Sequence, residues 1–128
     1  GEQVFHEIGC AACHRPGFET GAEAARPDLA GQTIWPYSDF LLHDMGPGLA
    51  DARPGVDAAP GEWRTPPLWG IGLTRAATGR ESYLHDGRAE TLLDAVLWHG
   101  GEARAARDRV TALPKADRAA LIRFLESL

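Results

Sequence analysis

Residues 9–17, GCAACHRPG, constrain the fold of this chain more than any other stretch. Cys10, Cys13 and His14 form a C-x-x-C-H motif, in which two thiols attach to one haem and the following histidine binds its iron. On a helical turn the two cysteines lie on one face and reach the same haem edge. The motif predicts one covalent haem c, with thioethers from Cys10 and Cys13 and with His14 as the proximal iron ligand.

Two other interpretations of the motif stay open. A zinc ion could bind His6 together with the two cysteines and His14, but the second paired cluster that usually closes such a site is missing from the sequence. A thioredoxin-type dithiol requires a preceding strand and a βαβ pattern, which the sequence does not show. Haem is therefore favoured. Because haem thioethers form outside the bacterial cytoplasm, we expect a periplasmic protein.

The composition limits what can surround this motif. A length of 128 residues corresponds to one domain with a modest core, and 15 glycines and 9 prolines predict much ordered loop. The net charge of −5 provides no basic patch for nucleic acid or an anionic membrane and favours a cationic or neutral partner. No run of about 18 apolar residues could span a bilayer. No signal-peptide pattern is present, so we expect any leader or preceding domain to have been removed.

Helices are predicted at both ends of the chain. Residues 1–10 carry an apolar stripe at helical spacing, and Gly1 and Gly9 are small enough for another helix to approach closely. Residues 113–128 form a second amphipathic pattern, with Pro114 in its first turn. We expect the other ring nitrogen of His14 to donate to a carbonyl in residues 15–17.

The middle of the chain contains further helices and long loops. Thr91 is predicted to cap a helix that ends before Gly100, and another helix is predicted over 103–112. Residues 37–43 suit one or two helical turns, and residues 46–68, with five prolines, suit a long ordered loop. No convincing strand is found. The predicted fold is all-α: one cytochrome c-like helical domain over 1–128, around one covalent haem, with long Gly/Pro-rich loops.

Four segments carry a resemblance to a known family. The segments TPPLWGIGLT (65–74) and YLHDGRAETLLDAVLWHGG (83–101) resemble the C-terminal haem domain of the bacterial di-haem cytochrome c peroxidase and MauG superfamily. The segments PYSDFLLHDMGPGLAD (36–51) and EWRTPPLWGIGL (62–73) are similar to its di-haem oxidoreductase branch, described as peroxidases or thiol-oxidoreductase-like proteins. The resemblance extends over nearly the whole chain. It implies a haem domain that relays electrons to a peroxide-binding haem in an N-terminal half.

The resemblance also implies a distal iron ligand. Aligned from YLHDG, His99 falls on the axial methionine of the peroxidases and the axial tyrosine of MauG. His99 also ends an apolar helix just before a Gly-Gly break, where a side chain can turn inward. Met45, the only methionine, lies in a Gly/Pro loop and is the alternative ligand. His43 and His85, each followed by aspartate, are expected to support the site without binding iron.

One departure from the family concerns calcium. The family has a T-x-P segment that contributes oxygens to a calcium ion, and this chain has Arg80 and Ser82 at those positions. An arginine disfavours a nearby cation. A calcium site is therefore doubtful.

Two functions follow from these expectations. With His14 and either His99 or Met45 as ligands, the iron is six-coordinate and low-spin, which suits electron transfer between redox proteins or to an N-terminal haem domain. The alternative is a catalytic haem, with peroxidase or thiol-oxidising activity, whose sixth ligand can be displaced. Because the chain has a single C-x-x-C-H motif, we expect either the C-terminal half of a di-haem protein or a free-standing mono-haem relative.

Overall fold

The two terminal helices pack against each other in the computed structural model, which describes residues 1–23, 25–51 and 57–128. Helix α1 spans Glu2–Glu7 and helix α5 spans Lys115–Glu126. Phe5 of α1 is 2 % exposed, and a methyl group on Gly1 would meet the carbonyl oxygen of Ala120 in α5. The predicted close approach at Gly1 is confirmed.

Three more helices lie in the second half of the described chain. They are α2 (Thr74–Thr78), α3 (Leu92–Trp98) and α4 (Arg104–Ala112). The Thr91 hydroxyl accepts the N–H of Asp94 at 3.0 Å, as predicted for a capping residue. Helix α3 ends at Trp98, and a 3-10 turn over Gly101–Ala103 leads into α4. His99 therefore lies between the last turn of α3 and this 3-10 turn.

The prediction of an all-α fold is wrong, because the loops form two small antiparallel sheets. Strands β1 (Phe18–Glu19) and β2 (Thr33–Ile34) form one sheet; β3 (Leu42–Asp44) and β4 (Glu62–Arg64) form the other. Strands of two or three residues are too short to show an alternating apolar pattern. Their pairing depends on distant segments, so the sequence gives no local signal for it.

The prediction of helical turns before β3 is also wrong. Tyr37 and Phe40 have φ values of 51° and 62°, in the left-handed region, which breaks a right-handed helix. The Ser38 hydroxyl accepts the N–H of Phe40 at 2.9 Å, and the Asp39 carboxylate accepts the N–H of Leu41 at 3.0 Å. Such side-chain to main-chain bonds compete with helix formation. The segment therefore turns twice before it enters β3.

The predicted long loop over 46–68 contains strand β4, and its residues 52–56 lie outside the described residues. An apolar core lies between α1, α3, α4 and α5, and its members are all at most 8 % exposed: Phe5, Ile8, Tyr37, Leu68, Tyr83, Ala89, Leu92, Val110, Leu121 and Leu125. In the part of the chain that the structure describes, no helix has the length and apolar composition needed to cross a membrane.

Candidate haem site

His14 follows a 3-10 turn over Cys10–Ala12 and is held by a main-chain carbonyl. Its Nδ1 lies 3.0 Å from the carbonyl oxygen of Tyr37. Because a carbonyl can only accept, Nδ1 carries the proton and Nε2 keeps its lone pair. Burial is the main cause that lowers the pKa of His14, to about 4. His14 is therefore neutral near pH 7, which is the form that binds a metal.

The prediction that this carbonyl lies in residues 15–17 is wrong. The Arg15 and Pro16 carbonyls instead accept main-chain N–H groups from Ser38 at 2.9 Å and Tyr37 at 3.2 Å. These two bonds bring the Tyr37 segment alongside the C-x-x-C-H motif. The left-handed φ of Tyr37 belongs to the turn that places its carbonyl near His14.

His99 faces His14 across the site. The two ring centres are 6.4 Å apart, with 47° between the ring planes. The Nδ1 of His99 donates to the Ala95 carbonyl at 2.8 Å, so its Nε2 also keeps its lone pair. Burial lowers the pKa of His99 too. The two residues that the sequence predicts as axial ligands therefore lie together, and both are in the neutral form.

The spacing of these rings can be compared with metal chemistry. Metal–nitrogen bonds to histidine are about 2 Å long. A separation of 6.4 Å between ring centres leaves room between the two imidazoles for one metal ion. The second nitrogen of each ring is oriented by a carbonyl, as is usual for histidine ligands.

Cys10 and Cys13 are half-buried and are not joined to each other. Burial, followed by the proximity of Cys13, raises the pKa of the Cys10 thiol to about 11. Burial, followed by the charge of Asp39, also raises the pKa of Cys13. Reactive dithiols need the opposite shift, towards the thiolate. The raised pKa values therefore disfavour thiol–disulfide exchange by these two cysteines.

The zinc interpretation gains no support from the geometry. Among residues 1–23, 25–51 and 57–128, the one group of three or more potential metal ligands comprises Cys13, Asp39 and His43. The set of His6 with the two cysteines and His14 does not form such a group there. The described residues therefore do not assemble the zinc site that the sequence left open.

Met45, the alternative distal ligand, lies near His99 through its main chain. A methyl group added to Gly100 would lie 2.7 Å from the Met45 carbonyl oxygen, so the two segments touch. The Met45 N–H donates to the Gly61 carbonyl at 2.8 Å. Met45 therefore belongs to the distal side of the site, but the ring that faces His14 is that of His99.

A polar cluster of Asp39, His43 and Glu102 borders the site. The Nε2 of His43 lies 2.8 Å from Asp39 Oδ2, and its Nδ1 lies 2.9 Å from Glu102 Oε2. The sequence identifies His43 as a supporting residue with a carboxylate partner, but Asp44, the neighbour that suggested this, is not that partner. The sequence analysis misses Glu102 because it is 59 residues from His43 and no local pattern links them.

His85 and Ser82, which lies where the family has a calcium site, contact other groups. The His85 ring stacks on Trp63, with 3.6 Å between ring centres and 10° between planes, and its Nε2 lies 3.8 Å from Asp86. The Ser82 hydroxyl donates to the Gly87 carbonyl at 3.3 Å. This hydroxyl is therefore engaged within its own turn.

Large apolar side chains near the histidine pair are exposed. Leu97 and Trp98, which precede His99, are 42 % and 39 % exposed, and Leu41 and Leu42, which precede His43, are 60 % and 50 % exposed. Exposed apolar side chains often mark binding sites.

The comparison with known families agrees with this site. The family model described as "Di-haem oxidoreductase, putative peroxidase" matches residues 1–128, and so covers the whole chain. Searches of curated proteins and of solved structures found no match. The family description implies haem binding and oxidoreductase activity. The chain therefore belongs to the di-haem oxidoreductase family.

Proposed function

We propose that this chain is a c-type cytochrome domain that transfers electrons through one six-coordinate, low-spin haem. In this proposal Cys10 and Cys13 hold the haem by thioethers, and His14 and His99 are its axial ligands. The domain would be the relay part of a di-haem, peroxidase-like oxidoreductase. The haem supplies a metal centre that accepts and releases one electron.

The main support for this proposal is that the ring centres of His14 and His99 lie 6.4 Å apart. Each ring is oriented by a carbonyl hydrogen bond, and each keeps an unprotonated Nε2. Two strong ligands leave no open position for peroxide, which favours electron transfer over catalysis. Two histidines also give a lower reduction potential than a histidine–methionine pair, which affects the choice of donor and acceptor.

The single C-x-x-C-H motif indicates that the second haem of the family lies outside this chain. The chain has two cysteines, enough for one haem with two thioethers, whereas the family description names two haems. We infer that the second haem belongs to another segment, such as an N-terminal haem domain, or to a separate redox protein. The net charge of −5 favours a cationic or neutral surface on that partner. Thioether formation implies a periplasmic location.

An absorption and EPR spectrum of the isolated holoprotein tests this function. We expect a low-spin ferric spectrum that peroxide does not change on the timescale of seconds. A high-spin ferric spectrum, or a fast reaction with peroxide, would overturn the electron-transfer proposal. A colourless protein that contains zinc would overturn the haem assignment as well.

A second candidate function is catalysis at this same haem. The family description as a peroxidase favours it, as does the position of His99 in a partly exposed turn after α3. Peroxidase or thiol-oxidising chemistry would need His99 to leave the iron. A holoprotein that is low-spin but turns over peroxide after a delay set by loss of His99 would support this candidate.

A further inference from the structure

A continuous hydrogen-bonded connection joins the C-x-x-C-H motif to the turn that follows His99. The Asp39 N–H donates to the Cys13 carbonyl at 2.8 Å, and the Asp39 carboxylate accepts from His43 at 2.8 Å. His43 then donates to Glu102 at 2.9 Å. Glu102 lies in the 3-10 turn Gly101–Ala103, three residues after His99. The connection therefore runs from the C-x-x-C-H motif to residues 100–103, which we call the distal turn.

We propose that the polar cluster of Asp39, His43 and Glu102 positions His99 opposite His14. By fixing the distal turn against β3, the cluster sets how readily an external ligand replaces His99 at the iron. His43 is a positioning residue in this account, since it acts through Glu102. This inference rests on the proposed function, because it requires a haem bound between His14 and His99.

His43 is suited to this role because both of its ring nitrogens are engaged by carboxylates. A carboxylate only accepts, so both nitrogens must donate, and His43 is held as an imidazolium between two anions. The His43 side chain is 16 % exposed, so these bonds are partly shielded from water. Hydrogen bonds from Glu102 and then Asp39 raise its pKa, which agrees with the geometry. A glutamine at position 43 carries its donors on one amide nitrogen, so it cannot donate to Asp39 and Glu102 from two separate nitrogens as histidine does.

Both carboxylate oxygens of Glu102 accept hydrogen bonds from residues of β3. Its Oε2 accepts from His43, and its Oε1 accepts the N–H of Asp44 at 3.0 Å. One carboxylate on the distal turn thus holds two consecutive residues of β3. The bonds place the end of β3 and the distal turn in a fixed register.

The main chain of the distal turn also packs closely against the end of β3. A methyl group on Gly101 would meet the Asp44 carbonyl oxygen, and a methyl group on Gly46 would lie 2.8 Å from the Gly101 nitrogen, so glycines allow this close approach. The apolar neighbours Leu42 and Trp98 are 50 % and 39 % exposed. Arg88 lies over Trp98 at 4.8 Å, but it bonds to the Gly48 carbonyl and does not reach the C-x-x-C-H motif. The polar cluster therefore adds side-chain hydrogen bonds that connect the C-x-x-C-H motif to the distal turn through β3.

Cyanide binding to the ferric holoprotein tests this inference. At saturating cyanide, the binding rate is limited by the loss of His99. We compare the wild type with His43→Gln, Glu102→Gln and the double variant, at one pH near 6. We expect each single substitution to raise the limiting rate about fivefold or more, and the double variant to be no faster than the faster single one.

Two controls separate positioning from general destabilisation. Asp28→Asn removes an exposed ion pair with Arg26, and Asp108→Asn removes an exposed ion pair with Arg107 in α4. We expect both to keep the wild-type limiting rate within about twofold. Glu102 is 57 % exposed, so Glu102→Gln should fold even if His43→Gln does not.

The outcomes distinguish this inference from the proposed function. A wild-type spectrum that is high-spin overturns both, because no distal ligand is then bound. A low-spin wild type in which Glu102→Gln binds cyanide at the wild-type rate overturns the role of the polar cluster alone. Rate increases in the controls equal to those in Glu102→Gln would also overturn it, since they would indicate a general loss of stability.

Discussion

The proximal and distal sides of the site are built from different kinds of contact. On the proximal side, Phe5 packs edge-to-face against Tyr37 at 5.9 Å and Phe124 at 5.4 Å, and its ring centre lies 6.4 Å from that of His14. On the distal side, the turn after His99 is attached to β3 by hydrogen bonds of the polar cluster. The proximal ligand is thus supported by the apolar core and the distal ligand by charged groups near water.

This difference indicates which of the two histidines can leave the iron more easily. Apolar packing in a core is lost only when the helices separate, which costs much of the stability of the domain. Hydrogen bonds between partly exposed charged groups break and reform at a much smaller cost. We therefore expect His14 to stay bound and the distal side to be the part that controls ligand exchange.

Substitution of Phe5 should have the largest effect on stability. Phe5→Ala removes a ring of α1 that is 2 % exposed and packs against Phe124 of α5. We therefore expect a loss of about 3–5 kcal/mol in the free energy of unfolding. Denaturant unfolding measures this loss. The control is Phe40→Ala, at a residue that is 40 % exposed, which should cost less than about 2 kcal/mol. Equal losses in the two variants would show that the proximal side is not supported by the core as described.

The capping residue of α3 should have an intermediate effect. Thr91→Ala removes the hydroxyl that accepts the Asp94 N–H at the start of the helix that leads to His99. We expect a loss of about 1 kcal/mol, measured by thermal unfolding. Thr111→Ala is the matched control, because Thr111 lies in α4 and its hydroxyl donates to the Asp108 carbonyl. A loss for Thr111→Ala as large as that for Thr91→Ala would contradict the capping role.

The pH dependence of the polar cluster should be the smallest effect. Hydrogen bonds to Glu102 and Asp39 raise the pKa of His43 above 6.5, so its contribution to stability is full below pH 6.5 and is lost as pH rises through the raised value. The His43 hydrogen bond lowers the pKa of Glu102 below 4.5, so that contribution is lost as pH falls through the lowered value. Burial raises the pKa of Asp39, but its hydrogen bonds outweigh burial and leave it below 3.8.

The difference in Tm between the wild type and His43→Gln isolates this contribution. We expect the difference to be greatest between pH 4.5 and 6.5, at about 1–3 °C, and to shrink on either side of that window. The titratable groups near His43 include Asp39, Glu102, the Cys13 sulfur and the His14 ring. A Tm difference that grows steadily above pH 7 would contradict this assignment of charges.

The helices are the part of the fold that the sequence predicts well. The C-x-x-C-H motif is local, the stripes of α1 and α5 follow helical spacing, and Thr91 is followed by Asp94 at the spacing of a cap. His99 follows from its place at the end of α3 together with the family resemblance. Each of these signals lies within a few neighbouring residues, where side-chain spacing determines the structure directly.

The distal side is poorly predicted for a physical reason. Strands β3 and β4 have three residues each, and their pairing joins His43 to Trp63, which are distant in the sequence. The helical turns predicted before β3 are absent because Ser38 and Asp39 bond to the main chain of their own turn. Glu102 meets His43 only after these strands have formed. Such contacts depend on the tertiary fold, which residue spacing alone does not reveal.

The identity of the distal ligand is the central claim, and one experiment tests it most directly. Optical and EPR spectra of the ferric holoprotein are recorded for the wild type, His99→Ala and Met45→Ala at the same pH. The account predicts that His99→Ala converts the haem to high spin and that Met45→Ala stays low-spin like the wild type. A high-spin Met45→Ala protein beside a low-spin His99→Ala protein would contradict it and would identify Met45 as the ligand.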